Sequence, residues 1–176
     1  MKKAICVLTL LMLITAVLFG CSDPDEQFTE KSYTPDAEIN EISIDVRDRE
    51  IEVTLSLDGT VHIDYFESDR EHYDISVSGG VLTIMDGGSK DLGSYFGVKP
   101  SAEFRKISLA VPDTLLTSIS ISTTNESISL APLSVAKSVS LTSNGGDISV
   151  SSEVGKGSIF TVKLKKKKEP SNRVLS

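Results

Sequence analysis

The chain has no tryptophan, and its rings are limited to six phenylalanines and four tyrosines among 176 residues. A carbohydrate site built from stacked aromatic faces is therefore not expected. Cysteine is nearly absent as well: only Cys6 and Cys21 occur, both within the first twenty-one residues, so no disulfide is expected within the body of the chain. Basic residues number 18 against 25 acidic ones, for a formal net charge of −7. Many of the cations crowd the C-terminus as Lys163, Lys165, Lys166, Lys167, Lys168 and Arg173, which leaves the body still more acidic. Nucleic acid is excluded as a partner on that basis, because phosphate neutralisation needs clustered Lys and Arg on a folded surface. No sustained helical period occurs, and the one long apolar run, Ala4 to Phe19, is short of the roughly 20 residues of a membrane-spanning helix.

That run has another use. Lys2 and Lys3 precede it and Leu18-Phe19-Gly20-Cys21 closes it, the order of basic, apolar and small residues found in secretory signals. The closing tetrapeptide resembles a bacterial lipobox, although Phe19 is bulkier than the usual residue there. The resemblance implies cleavage before Cys21, a diacylglycerol with palmitate-type acyl chains on its sulfur, and a lipid-anchored protein on the extracytoplasmic face of the cell membrane. Residues 1–20 are read as the signal peptide. Residues 21–38, acidic and polar with Pro24 and Pro35, are read as a flexible tether.

From residue 39 to 164 apolar and polar residues alternate in short bursts: Ile42/Ile44/Val46, Ile51/Val53/Leu55/Leu57, Val61/Ile63/Tyr65, Ile75/Val77, Leu82/Ile84 and Ile107/Leu109/Val111. Ile119/Ile121, Ile128/Leu130, Val139/Leu141, Ile148/Val150 and Phe160/Val162/Leu164 continue them. A period of two rich in β-branched residues predicts strands throughout, hence an all-β domain. Residues 165–176 are read as a basic disordered tail. Ile119 and Ile121 recur as Val139 and Leu141, and Ile128 and Leu130 recur as Ile148 and Val150, each twenty residues on. A fixed offset carried by two strands predicts a β-solenoid of two-strand coils, each laying its apolar row on the next. A β-sandwich also fits the spacing of the bursts.

With the Ile rows inward, Ser120, Ser122, Ser129, Ser140 and Ser149 face outward as a flat hydroxyl-rich face, suited to binding or simply to solvation. His62 and Asp64, with Asp58, Glu67 and His72, offer imidazole and carboxylate but not the spacing of a zinc site. Asp45, Asp48 and Glu50 lack the loop pattern of a calcium site. No metal and no cofactor is expected. Arg70, Arg105 and Lys106 are the only body cations that could serve as the base of a polysaccharide lyase, and solvated surface charge explains them better. No Gly-x-Ser-x-Gly elbow is present. The irregular stretch from Met85 to Arg105 carries Tyr95, Phe96 and Phe104, expected either to cover an end of the stacked coils or to contact a partner.

The run from Leu57-Asp58-Gly59-Thr60-Val61-His62-Ile63 through Ser78-Gly79-Gly80-Val81-Leu82-Thr83-Ile84 resembles the opening of the putative-adhesin domain of bacterial surface proteins. Ile107-Ser108-Leu109-Ala110-Val111-Pro112, the Ser-Ile-Ser-Ile ladder and Asn144-Gly145-Gly146-Asp147-Ile148 continue the resemblance. It implies a β-solenoid-like extracytoplasmic domain without catalysis, in proteins common on Gram-positive cells, and it supplies no binding residues. A second resemblance covers Gly145 to Leu164, which is similar to the last hairpin of histidine-kinase ATPase domains, with Gly155-Lys156-Gly157-Ser158 as its turn. The Asn-bearing helix and the Asp-x-Gly-x-Gly loop of that family are missing upstream, so nucleotide binding is not expected. A strand, glycine turn and strand would equally serve as the final coil of a solenoid.

The expectation is a non-catalytic surface lipoprotein that binds an envelope or extracellular partner, protein or wall polymer. Two other readings stand beside it. One is an accessory regulator of a membrane envelope-stress or sensor system, and the other is an enzyme acting on wall polysaccharide.

Overall fold

The computed structural model describes residues 26–87, 99–113 and 116–151. Eleven strands run through them: β1 Thr29–Tyr33, β2 Glu41–Asp45, β3 Glu50–Leu55, β4 His62–Glu67, β5 Tyr73–Ser78, β6 Val81–Asp86, β7 Lys106–Val111, β8 Leu116–Thr123, β9 Ile128–Leu130, β10 Val135–Ser143 and β11 Ile148–Val150. A 3-10 turn at Ala102–Arg105 is the only helical element among the described residues. The strands form two mixed sheets, one ordered β1-β4-β7-β3-β9-β11 and the other β10-β8-β2-β6-β5. The domain is all β, as the alternation predicts.

Alternation places one side of every strand inward, and the two inner faces share one core. Pairing then lines up the inward residues in rows. Leu82, Ile42, Ile119 and Val139 are successive partners across β6, β2, β8 and β10, with Ile84, Ile44, Ile121 and Leu141 beside them. In the other sheet Ile107, Ile51, Ile128 and Ile148 are matched, and so are Leu109, Val53, Leu130 and Val150. All of these pairings are parallel, with neighbouring strands about 4.8 Å apart, so each side chain rests on its equivalent in the next strand. The twenty-residue offset appears directly as the register: Ile119 opposes Val139 and Ile128 opposes Ile148. One feature departs from a simple repeat. The pair β2–β3, first in the chain, lies between β6–β7 and β8–β9.

Antiparallel strands flank the other end. β5 and β6 form a hairpin whose turn residues Gly79 and Gly80 have φ of 59° and 80°, the doubly left-handed turn that matches strand twist. β1 pairs with β4, and β4 with β7. This differs from the flexible stretch expected up to residue 38. Thr29–Tyr33 completes a sheet edge, because Tyr33 packs on the core and each residue from Thr29 to Tyr33 has a partner in β4. The composition is polar because β1 is an edge strand with little buried surface. Leu57 also departs from expectation: it lies beyond β3 and is fully exposed.

Candidate functional site

Two outer faces and one corner collect the functional candidates. Ser120 on β8 pairs with Ser43 on β2 and Ser140 on β10; Ser43 pairs in turn with Thr83 on β6, which opposes Ser76 on β5. Five hydroxyls from five strands thus form one row across the sheet, each able to donate and to accept. The rows on either side hold Glu41 with Ser118 and Asp45 with Ser122, so the uncharged row runs between two acidic points on β2. The expected hydroxyl face is thereby divided. Ser120, Ser122 and Ser140 lie on this sheet, whereas Ser129 and Ser149 lie on the other. There the outward row reads Ser32, Asp64, Ser108, Glu52, Ser129 and Ser149, and Glu52 pairs with Lys106 at 2.6 Å. A period of two tells inward from outward but not one sheet from the other.

The corner is made by stacked turns. Asp48 and Asn125 both sit in the left-handed region, at φ of 53° and 58°, and the Asn125 amide donates to Asp48 Oδ1 at 2.9 Å. The Asp48 N–H donates to Thr124 Oγ1 at 3.1 Å, and Thr123 both accepts from the Arg49 N–H and donates to the Arg49 carbonyl. Lys99 lies 3.0 Å from Asp48 and 3.1 Å from Glu126, which also pairs with Arg105. Burial pushes the Asp48 carboxyl up, but hydrogen bonds from Asn125 and Lys99 outweigh it and hold the group below its ordinary range. The third turn of the stack explains its glycines. A Cβ on Gly146 would lie 2.1 Å from the Glu126 carbonyl oxygen, so only glycine lets the turn close on its neighbour. Gly146 therefore answers to backbone contact, and the residues after it pair in parallel through β11 and β9.

Arg49 is the group that charge patterning alone does not single out. It is 6% exposed; its guanidinium donates to the Tyr73 hydroxyl and pairs with Glu71, and it donates to the carbonyls of Arg47 at 3.4 Å and Asp48 at 3.2 Å. The available signal is its position two residues before Ile51 and four before Val53, on the inward side of the alternation. It clamps the β4–β5 connection to the corner.

Several of the metal and base candidates are engaged in local pairs. His62 contacts Asp58 at 2.7 Å and Thr60 at 2.8 Å through Nε2, and Thr34 at 3.0 Å through Nδ1. Asp58 accepts from the Thr60 N–H, His62, Ser56 and the Thr60 hydroxyl, which together hold its carboxyl well below the usual range. No group of three or more metal-capable side chains converges among the described residues. Arg105 and Lys106 are paired with Glu126 and Glu52. Phe104 stacks on Phe28 with centroids 4.9 Å apart and meets the edge of Phe66 at 5.5 Å, joining the 3-10 turn to β4 and to the residues before β1. Tyr95, Phe96, Cys21, the segment from Phe160 to Leu164 and the lysine-rich tail lie outside the described residues.

No curated protein matches the chain. Among solved structures it is similar to a putative adhesin of Bacteroides fragilis, with 18% identity and a TM-score of 0.47 over 72% of this chain and 54% of that one. A putative cell adhesion protein of Clostridium sporogenes gives 12% identity and a TM-score of 0.45 over 65% and 59%. A putative lipid binding protein of Parabacteroides distasonis gives 15% and 0.42 over 72% and 52%. The chain thus spans little more than half the length of these structures. The model of a family described as Toastrack DUF4097 matches residues 39–166, most of the chain. The chain belongs to that family.

Proposed function

We propose that the chain is a non-catalytic surface lipoprotein, anchored through Cys21, whose β-solenoid domain binds a polar envelope polymer along the Ser76–Thr83–Ser43–Ser120–Ser140 row. The observation that carries this reading is the row itself. Its hydroxyls repeat at the spacing of paired strands, about 4.8 Å, on a sheet whose inner strands are held from both sides. Short hydroxyls on rigid backbone lose little freedom on binding, and a polymer with repeating polar groups would meet them in succession. The solenoid description is supported by the parallel stacking at a constant offset and by membership of the Toastrack family. Extracytoplasmic placement rests on the signal-like N-terminus and the lipobox resemblance, and Gram-positive origin on the putative-adhesin resemblance alone. The regulatory and enzymatic alternatives have no specific observation in their favour.

The test is co-sedimentation with purified cell-wall sacculi. Wild type is expected to be retained, Ser120→Arg to be retained about tenfold less, and Ser129→Arg, on the other sheet, to behave as wild type; a tenfold loss corresponds to about 1.4 kcal/mol. Equal retention of all three, or no retention of wild type, contradicts the reading.

A further inference from the structure

The hydroxyl row is the middle of three outward rows on its sheet. On one side the paired residues are Ser78, Val81, Glu41, Ser118 and Ser138, and on the other Asp74, Met85, Asp45, Ser122 and Thr142. These three rows of five hold ten hydroxyls and three carboxylates, with no lysine, arginine or histidine. The cations nearby in sequence do not answer the carboxylates. Arg47 is held by Asp86 at 3.3 Å, and Lys137 falls in the irregular stretch of β10 before Ser138, outside the paired positions. No ion pair among the described residues engages Glu41, Asp45 or Asp74. On the other sheet, by contrast, Glu52 is met by Lys106.

Spacing decides what these carboxylates can meet. Asp45 and Asp74 lie two strand spacings apart, about 10 Å, and Glu41 stands four residues before Asp45 on β2, about 13 Å away. One metal ion cannot bridge groups so far apart, whereas one ligand with several separate cations can. We infer that the ligand of this face is a polycationic glycan, an amino-sugar chain in which some amines lack acetyl groups and are protonated. This rests on the reading of the row as a polymer-binding surface and names the chemistry of the polymer. Serine and threonine exchange hydrogen bonds with sugar hydroxyls, since each can donate and accept. The carboxylates take the ammonium groups in charge-assisted bonds. Met85, 47% exposed between Asp74 and Asp45, offers apolar surface to the carbon face of a sugar. Phosphate-linked polymers are disfavoured, because the face sets carboxylates and no cation against them. A lysine-rich peptide satisfies the carboxylates but covers the hydroxyls with methylene stems that cannot pair with them.

Titration calorimetry of the full chain tests the assignment. The probes are N-acetylglucosamine oligomers and the same oligomers stripped of acetyl groups, at mildly acidic pH where the free amines are protonated. The stripped form is expected to bind about tenfold more tightly at roughly 0.01 M salt and to lose that advantage at about 1 M. Combining Glu41→Gln, Asp45→Asn and Asp74→Asn is expected to bring the two forms to equal affinity, and Glu52→Gln on the other sheet to leave the advantage in place. An advantage that survives the triple variant overturns the inference. Equal binding of both forms by wild type, still weakened by Ser120→Arg, overturns it and leaves the row reading standing. Binding of neither form, or binding that Ser120→Arg leaves intact, overturns both. Oligolysine bound as tightly as the stripped oligomer also overturns it, by making any polycation the occupant.

Discussion

Ile128→Asp is expected to destabilise the domain by about 4 kcal/mol or more, whereas Ser129→Asp, one residue on, is expected to change stability by no more than about 0.5 kcal/mol. Ile128 is fully buried in β9, with Ile51 of β3 on one side and Ile148 of β11 on the other. A carboxylate there loses the packing of the removed side chain and is taken from water without a partner. Ser129 points away from the core and is exposed, so its replacement leaves the packing alone. For a chain of this size a loss of that magnitude lowers the thermal midpoint by roughly 10 °C, readily measured by circular dichroism. Equal losses at the two positions would mean that the inward side of β9 has been assigned wrongly.

Arg49→Ala carries the second large effect, about 3 kcal/mol or more. The guanidinium is buried, and its removal leaves the Tyr73 hydroxyl and the partly covered Glu71 carboxylate without their cation. Arg49→Lys is expected to recover less than half of the loss, because one ammonium cannot reproduce the fork that reaches Tyr73, Glu71 and two carbonyls together. Glu71→Gln combined with Arg49→Met should be milder than Arg49→Ala, since it removes the unpaired charge and keeps the volume. Urea unfolding at constant slope measures each change. A loss below about 1 kcal/mol for Arg49→Ala would show that the corner does not depend on the ion pair.

These two residues mark where the sequence is legible and where it is not. Ile128 announces itself, because a β-branched residue in strict alternation, repeated as Ile148, has only one physical reading. The same alternation could not show that β2–β3 sits between β6–β7 and β8–β9, since side chains that face a shared core look alike whichever strand lies beside them. It could not separate Ser120 from Ser129 either, because being outward says nothing of which sheet. Arg49 was hidden by chemistry of the opposite kind: charge normally marks the surface, and only the three-dimensional meeting of Tyr73, Glu71 and two carbonyls makes its burial affordable. Phe28 and Tyr33 were obscured by polar neighbours that belong to an edge strand. In the hydroxyl row the residue types were visible, but their alignment across five strands required the register.

Mapping of backbone amide shifts would test the proposal that this aligned row is the binding surface. The domain would be titrated with solubilised peptidoglycan fragments and followed by nuclear magnetic resonance. Perturbations are expected to concentrate at Ser76, Thr83, Ser43, Ser120 and Ser140, with Glu52, Lys106 and Ser129 on the other sheet unchanged. Shifts confined to that other sheet, or none at saturating fragment, would contradict the account.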